Sequence, residues 1–135
     1  MPDRADEVWR LLSSLVINNQ DTWKRAVVER TGLPFSRIRI LSRLAREPLS
    51  VKQIAAAAAI DAPAATVAVN DLEERGLVVR QVDPGNRRSK TVSLTLAGRG
   101  LLALIDAVEN PAPAPLRELS VTELAALQAL LKKLV

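Results

Sequence analysis

The feature that most constrains this chain is a change of hydrophobic period near residue 77, with a return about twenty residues later. Upstream, apolar residues recur at helical spacing. At Leu77-Val78-Val79-Arg80-Gln81-Val82 they become β-branched and extended. Asp83-Pro84-Gly85-Asn86 is a turn cluster, and Lys90-Thr91-Val92-Ser93-Leu94 alternates polar with apolar. Two strands joined by a basic loop make one hairpin in a chain whose remaining elements are helical. The expected class is mainly α with a small two-stranded β element.

The helices are legible from their stripes and caps. Val8, Leu11, Leu12, Leu15 and Val16 form one stripe, and the N-terminal third reads as one long helix broken at Gly32 and Pro34. A second helix follows, with Phe35, Ile38, Leu41 and Ala45 on one side and Arg37, Arg39, Arg43 and Arg46 elsewhere. Ser50-Val51-Lys52-Gln53 is a capping box that opens a short, alanine-rich helix. Asp61-Ala62-Pro63 restarts a fourth, with Ala65, Ala68, Val69 and Leu72 inward and Gly76 closing it. Thr95 caps a helix running from about Leu96 into Asn110, with Leu101, Leu104, Ile105 and Val108 as its stripe. Pro111, Pro113 and Pro115 read as a stiff linker. A second capping box, Ser120-Val121-Thr122-Glu123, opens a last helix bearing Leu124, Leu127, Leu131 and Leu134.

The order of these elements suggests a function. A short helix, a turn and a helix of about twelve residues follow the helix-turn-helix plan, whose second helix enters the DNA major groove. The hairpin directly after it, with Arg87, Arg88 and Lys90 at or beside the tip, is a wing able to reach a neighbouring minor groove. Charge agrees with this placement. Residues 37–100 carry eleven basic and six acidic residues, whereas residues 1–36 balance and residues 101–135 are net −1. A local basic excess suits a polyanion, although charge alone fits a solvated face equally well.

Ile54-Ala55, Leu72-Glu73-Glu74-Arg75-Gly76-Leu77-Val78-Val79-Arg80, Asp83-Pro84-Gly85-Asn86-Arg87-Arg88 and Val92-Ser93-Leu94-Thr95 with Gly98 together resemble a MarR-type winged-helix transcriptional regulator. The resemblance runs from about Leu33 to Gly98. It implies a homodimer on a pseudo-palindromic operator, often released by a small aromatic or anionic ligand. It also implies three regions: an N-terminal dimerisation helix over 1–32, a winged helix-turn-helix over 33–98 and C-terminal dimerisation helices over 99–135. The expected dimer interface is Val8, Leu11, Leu12, Leu15, Leu101, Leu104, Ile105, Val108, Leu124, Leu127, Leu131 and Leu134. A dimer is also expected physically, because the terminal helices carry more aliphatic stripe than a reading domain of about 65 residues can cover. Packing within one chain is the alternative.

The departures from the family pattern fall on the reading surface. The groove face of the fourth helix is Pro63, Ala64, Thr66, Val67, Asn70 and Asp71, with no basic residue before Arg75. Family members usually carry arginines at the positions of Val67 and Asp71. Asn70 could make a bidentate contact to adenine, and the apolar positions could meet thymine methyls. Asp71 would repel phosphate unless it accepts from cytosine or pairs with a side chain. The family's wing tip resembles Asp-x-Arg, whereas here it is Asn86-Arg87-Arg88. The orienting carboxylate has become an amide, a residue favoured in turns for local reasons; Asp83 is the candidate substitute. Phosphate contacts are expected from Arg37, Arg39, Ser50, Lys52, Arg87 and Lys90, with Arg88 in the minor groove.

Composition closes other routes. The chain has no Cys and no His, and its single Met is Met1. Thiolate and imidazole metal sites, disulfides, Ser–His or Cys nucleophile systems and cysteine-based redox sensing are therefore excluded. No cofactor and no enzymatic activity are expected. No apolar run reaches membrane-spanning length and Met1-Pro2-Asp3-Arg4 is polar, so a cytoplasmic protein without membrane association is expected. For an effector, Arg10, Lys24, Arg25 and Arg43 could attract an anion and Trp9 or Trp23 could stack on it; core or interface packing is the favoured reading of both tryptophans. The leading reading is a dimeric, sequence-specific DNA-binding regulator, a repressor. The alternative is a winged-helix module that has lost specific DNA binding and docks another protein.

Overall fold

The computed structural model describes all 135 residues, Met1–Val135. Its elements are α1 (Arg4–Asn19), α2 (Asp21–Thr31), α3 (Phe35–Leu44), α4 (Val51–Ala58), α5 (Ala62–Glu74), β1 (Val78–Asp83), β2 (Asn86–Leu94), α6 (Leu96–Asp106), α7 (Ala114–Arg117) and α8 (Val121–Lys132). They fall into two compact units. One is Thr22–Val108, and the other combines Met1–Asp21 with Glu109–Val135.

The larger unit has one aliphatic core. Val27, Leu33, Ile38, Leu41, Ile54, Ala65, Ala68, Val69, Leu72, Val78 and Val92 are almost fully buried, with Ile105 of α6 alongside. No polar side chain is buried. The inward face of α5 is the expected one. That of α3 is wider: Ile40 and Leu44 join Ile38 and Leu41, because α4, α6 and β2 all pack on this helix. Ala45 lies beyond the helix end as its C-cap and is exposed.

Local chemistry sets the boundaries. Ser50 accepts from the Gln53 amide while Gln53 reaches back to the Ser50 amide, completing the first capping box. Asp61 and Thr95 cap α5 and α6 through the Ala64 and Gly98 amides. The turn between α4 and α5 contains an unexpected strain. Ala59 adopts a left-handed conformation, φ 54° and ψ 43°, and the Ile60 amide donates to the Ala55 carbonyl to close the helix. A Cβ in that region costs about 1 kcal/mol. Ala59→Gly is therefore expected to stabilise the protein by roughly 0.5–1 kcal/mol. A thermal melt should register a rise of a few degrees; an unchanged or lower midpoint would contradict this account.

The hairpin is longer than its sequence suggests. β1 and β2 pair antiparallel from Val78↔Leu94 to Val82↔Lys90, and Asp83 then pairs with Asn86. Arg87, Arg88 and Ser89 thus form a bulge inside β2 instead of a loop before it. A single-residue third strand, Leu49, clamps the hairpin base. Its amide donates to the Val92 carbonyl at 3.1 Å, and the Val92 amide returns a bond at 2.7 Å.

In the second unit, the long N-terminal helix of the sequence reading ends at Asn19, with Gln20 as its C-cap. The polar run Asn18-Asn19-Gln20 explains the stop: the Asn19 side chain donates to the Leu15 carbonyl at 2.7 Å, competing with the helical amide. At the other end, α6 stops at Asp106, and Pro113 and Pro115 start the short helix α7 within the expected linker. The second capping box, at Ser120, opens α8. Neither α1 nor α8 buries a single residue. No helix is long and apolar enough to cross a membrane.

Candidate nucleic-acid interface

The interface candidates are built on α5. Because Ala65, Ala68, Val69 and Leu72 face the core, Pro63, Ala64, Thr66, Val67 and Asn70 are exposed on the opposite side. Beside them, the N-terminus of α4 and the base of the wing enclose an open groove of about 410 Å³. Ser50, Val51, Lys52, Thr66, Arg80, Arg88, Ser89, Lys90 and Val92 line it. Five residues expected from the sequence therefore meet in one place: Ser50, Lys52, Thr66, Arg88 and Lys90. The Ser50 oxygen is occupied as an acceptor by its cap, which leaves its hydroxyl proton free to donate to a phosphate.

Other expected residues are engaged differently. Arg37 Nε donates to Asp71 Oδ2 at 3.1 Å, and Arg75 Nε donates to Asp71 Oδ1 at 3.0 Å. Asp71 is thus neutralised by two side chains, which resolves its expected repulsion of phosphate, and Arg37 is committed to tying α3 to α5. Hydrogen bonds from Arg75 first and Arg37 second hold the Asp71 carboxyl below its ordinary range. With a lowered folded value, these ties are intact at neutral pH and lost only as acid carries the solution through that lowered value. Arg39 remains exposed on α3.

At the wing, neither Asp83, the candidate substitute carboxylate, nor the Asn86 amide bonds the Arg88 side chain. Asp83 Oδ1 accepts from the Gly85 amide at 2.9 Å, and Asn86 Oδ1 accepts from the Arg88 amide at 3.1 Å. Asn86 serves the turn, as its local preference suggests. Arg87, Arg88 and Lys90 stand exposed on and beside the bulge.

Sequence reasoning missed Arg80. Its Nη1 donates to Glu73 Oε1 at 2.7 Å, its backbone amide donates to Glu73 Oε2 at 3.2 Å, and Nη2 donates to Asn70 Oδ1 at 2.5 Å. Only the position of Arg80 on the expected strand, opposite the strand's own α5 neighbour, could have signalled it. Trp23, for which packing is the favoured reading over effector stacking, packs edge-on against Phe35, centroids 5.7 Å apart, and Lys24 Nζ lies 4.5 Å above the same ring. Both are therefore engaged in packing. Ile105, expected at a dimer interface, is 5% exposed and belongs to the chain's own core, and Leu101 and Val108 pack partly against that core.

Fold and surface together describe a winged helix with a basic wing. A sequence model of the MarR family matches residues 31–89, from the end of α2 through the wing bulge. Residues 31–89 are thus similar to the MarR family. Solved structures are similar over nine-tenths or more of this chain. The transcriptional regulator BldR from Sulfolobus solfataricus is 26% identical, covers 98% of both chains and has a TM-score of 0.66. A probable transcriptional regulator from Pseudomonas aeruginosa is 27% identical over 91% of this chain and 96% of its own, with a TM-score of 0.59. Wild-type MarR from E. coli, in its apo form, shares the fold at 18% identity and a TM-score of 0.72, covering 100% of this chain and 98% of its own.

Proposed function

We propose that this chain is a MarR-type DNA-binding regulator that acts as a homodimer and represses transcription from a pseudo-palindromic operator. The observation that carries the reading is the groove, where the exposed face of α5 adjoins the capped α4 terminus and the basic bulge of the wing. α5 would enter the major groove and Arg88 the adjacent minor groove. Arg39, Ser50, Lys52, Arg87 and Lys90 would hold phosphates. The leucine stripes of α1 and α8, unburied in one chain, support the dimer. Release by a small aromatic or anionic effector fits the same groove, since about 410 Å³ lined by Arg80, Arg88 and Lys90 would accept an anion in competition with phosphate.

With no basic side chain on the reading face of α5, affinity should come mainly from phosphates. Anisotropy titrations against the protein's own promoter region should give a slope of log K against log salt of about −7, from four phosphate-contacting cations on each of two protomers. Arg88→Ala should weaken binding roughly tenfold or more. A slope near zero, or an unchanged affinity in the Arg88 variant, would remove this docking face. The protein-docking alternative is favoured by one feature, the 60% exposed Val67 on a face without cations. Absence of DNA binding even at low salt would select it.

A further inference from the structure

The geometry points to Arg80 as a positioning residue that fixes the amide of Asn70, so that α5 presents a hydrogen-bond donor to the base it meets and rejects cytosine there. This rests on the docking reading above. Arg80 stands on β1 across from Val92, and its guanidinium is gripped by Glu73 from the preceding helix. Held in that position, Nη2 points at the side chain of Asn70. A guanidinium carries donors only, so the Asn70 atom facing it must be the carbonyl Oδ1. The planar amide then has its other end, Nδ2, directed away, and no atom of the chain accepts from it. Asn70 itself is exposed on the reading face.

An unrestrained asparagine is a permissive reader. It can turn its carbonyl to the cytosine amino group, its NH₂ to guanine, or both ends to adenine. Arg80 removes that freedom by holding the carbonyl toward its own guanidinium, which fixes the direction of the amide. The bidentate adenine contact expected from the sequence now competes with Arg80 for Oδ1. What remains outward is a donor. Guanine, adenine and thymine each offer a major-groove acceptor, N7 and O6, N7, and O4 respectively, whereas cytosine offers only the N4 donor. Two donors would face each other at cytosine. A helix face without arginine thus still discriminates, through an arginine that lies outside the helix and acts on an amide within it.

The test uses the full-length chain and a duplex selected by the wild-type protein from a random library. All four base pairs are then placed at each half-site position, and affinities are measured by anisotropy at fixed salt. At one position per half-site, wild type should bind cytosine about tenfold more weakly than the other three bases. Arg80→Met should weaken all duplexes together through its lost charge and shrink that cytosine penalty to about twofold. Asn70→Asp keeps an acceptor for Arg80 and turns a second acceptor outward, so it should make cytosine the preferred base. An Arg80→Met protein that keeps the full penalty, or an Asn70→Asp protein whose ranking does not move toward cytosine, overturns the proposal. If Asn70→Ala changes no preference at any position, the docking face itself is wrong. Circular dichroism melts of each variant separate a lost fold from a changed ranking, and the ranking is a readout that a merely structural Arg80 would not move.

Discussion

Gly98→Ala is expected to destabilise the protein by about 3 kcal/mol, lowering the thermal midpoint by roughly 10–15 °C. Gly98 is buried in the first turn of α6, where a Cβ would lie 2.2 Å from the Leu77 carbonyl oxygen and 3.2 Å from both Leu77 C and Leu94 Cδ2. The obstructing atom belongs to the backbone, so no rotamer change relieves the overlap. Nor can Leu77 move freely. Its carbonyl accepts from the Thr95 amide at 3.1 Å, and its own amide donates to the Leu72 carbonyl at 3.0 Å. Thr95 completes the junction: its hydroxyl donates to the Gly76 carbonyl at 2.6 Å and accepts from the Gly98 amide at 3.1 Å. The end of α5, the start of β1 and the start of α6 are thus joined at one point. Overpacking there exceeds the gain of about 1 kcal/mol that alanine brings to a helix interior. Gly100→Ala is the internal control, since a Cβ at that position of the same helix meets nothing within 4 Å. It should raise stability by up to about 1 kcal/mol. Differential scanning calorimetry on the two variants should show shifts of opposite sign; equal shifts would mean that the close approach of Leu77 has no energetic weight.

The same junction marks how far the sequence could be read. Thr95 and Gly98 are recognisable as a cap and a helix glycine, but the Leu77 carbonyl that requires a glycine lies twenty-one residues away in the chain. Much local chemistry was legible: the capping boxes at Ser50 and Ser120, the Asp61 cap and the inward stripe of α5 were read from nearby residues, whereas the Asp3 capping box and the left-handed Ala59 were not. Contacts across the fold left little periodic trace. The Arg37–Asp71 pair spans 34 residues, and the Leu49–Val92 bridge is a strand of a single residue. Ile105 illustrates a related limit. Its place on an apolar stripe establishes that it faces something, and burial decides that this is the chain's own core. The break at Gln20 was written in polar residues, yet apolar periodicity on both sides concealed it. For the candidate interface, exposure of Thr66 and Asn70 followed from the period of α5, while the Arg80 clamp depended on the pairing register of β1.

Charging the terminal stripes should have the largest effect on function. Wild type is expected to sediment at twice its 14.6 kDa chain mass at micromolar concentration. Leu11→Glu combined with Leu134→Glu should give the single-chain mass under the same conditions. Both leucines are 71% exposed in one chain, and Trp9 is 70% exposed on the same helix as Leu11. A leucine kept in water forgoes about 1.5–3 kcal/mol of burial, and several such residues along α1 and α8 offer that energy to a second copy. Replacing two with carboxylates adds a desolvation cost to the lost apolar gain. The core of Thr22–Val108 contains neither position, so its cooperative melting should persist. DNA binding supplies the sharper test. A dimer engages its second half-site as an intramolecular event, and losing that event should reduce affinity for a two-site operator by about 100-fold or more. Affinity for a single half-site should change little, because α5 and the wing are untouched. Trp9 adds an optical readout: in a Trp23→Phe background its emission should shift to the blue as wild type associates and stay red in the double variant. A wild-type chain that sediments as a monomer at micromolar concentration, or a double variant that keeps full two-site affinity, would show that these helices do not hold the two halves of the DNA-binding unit together.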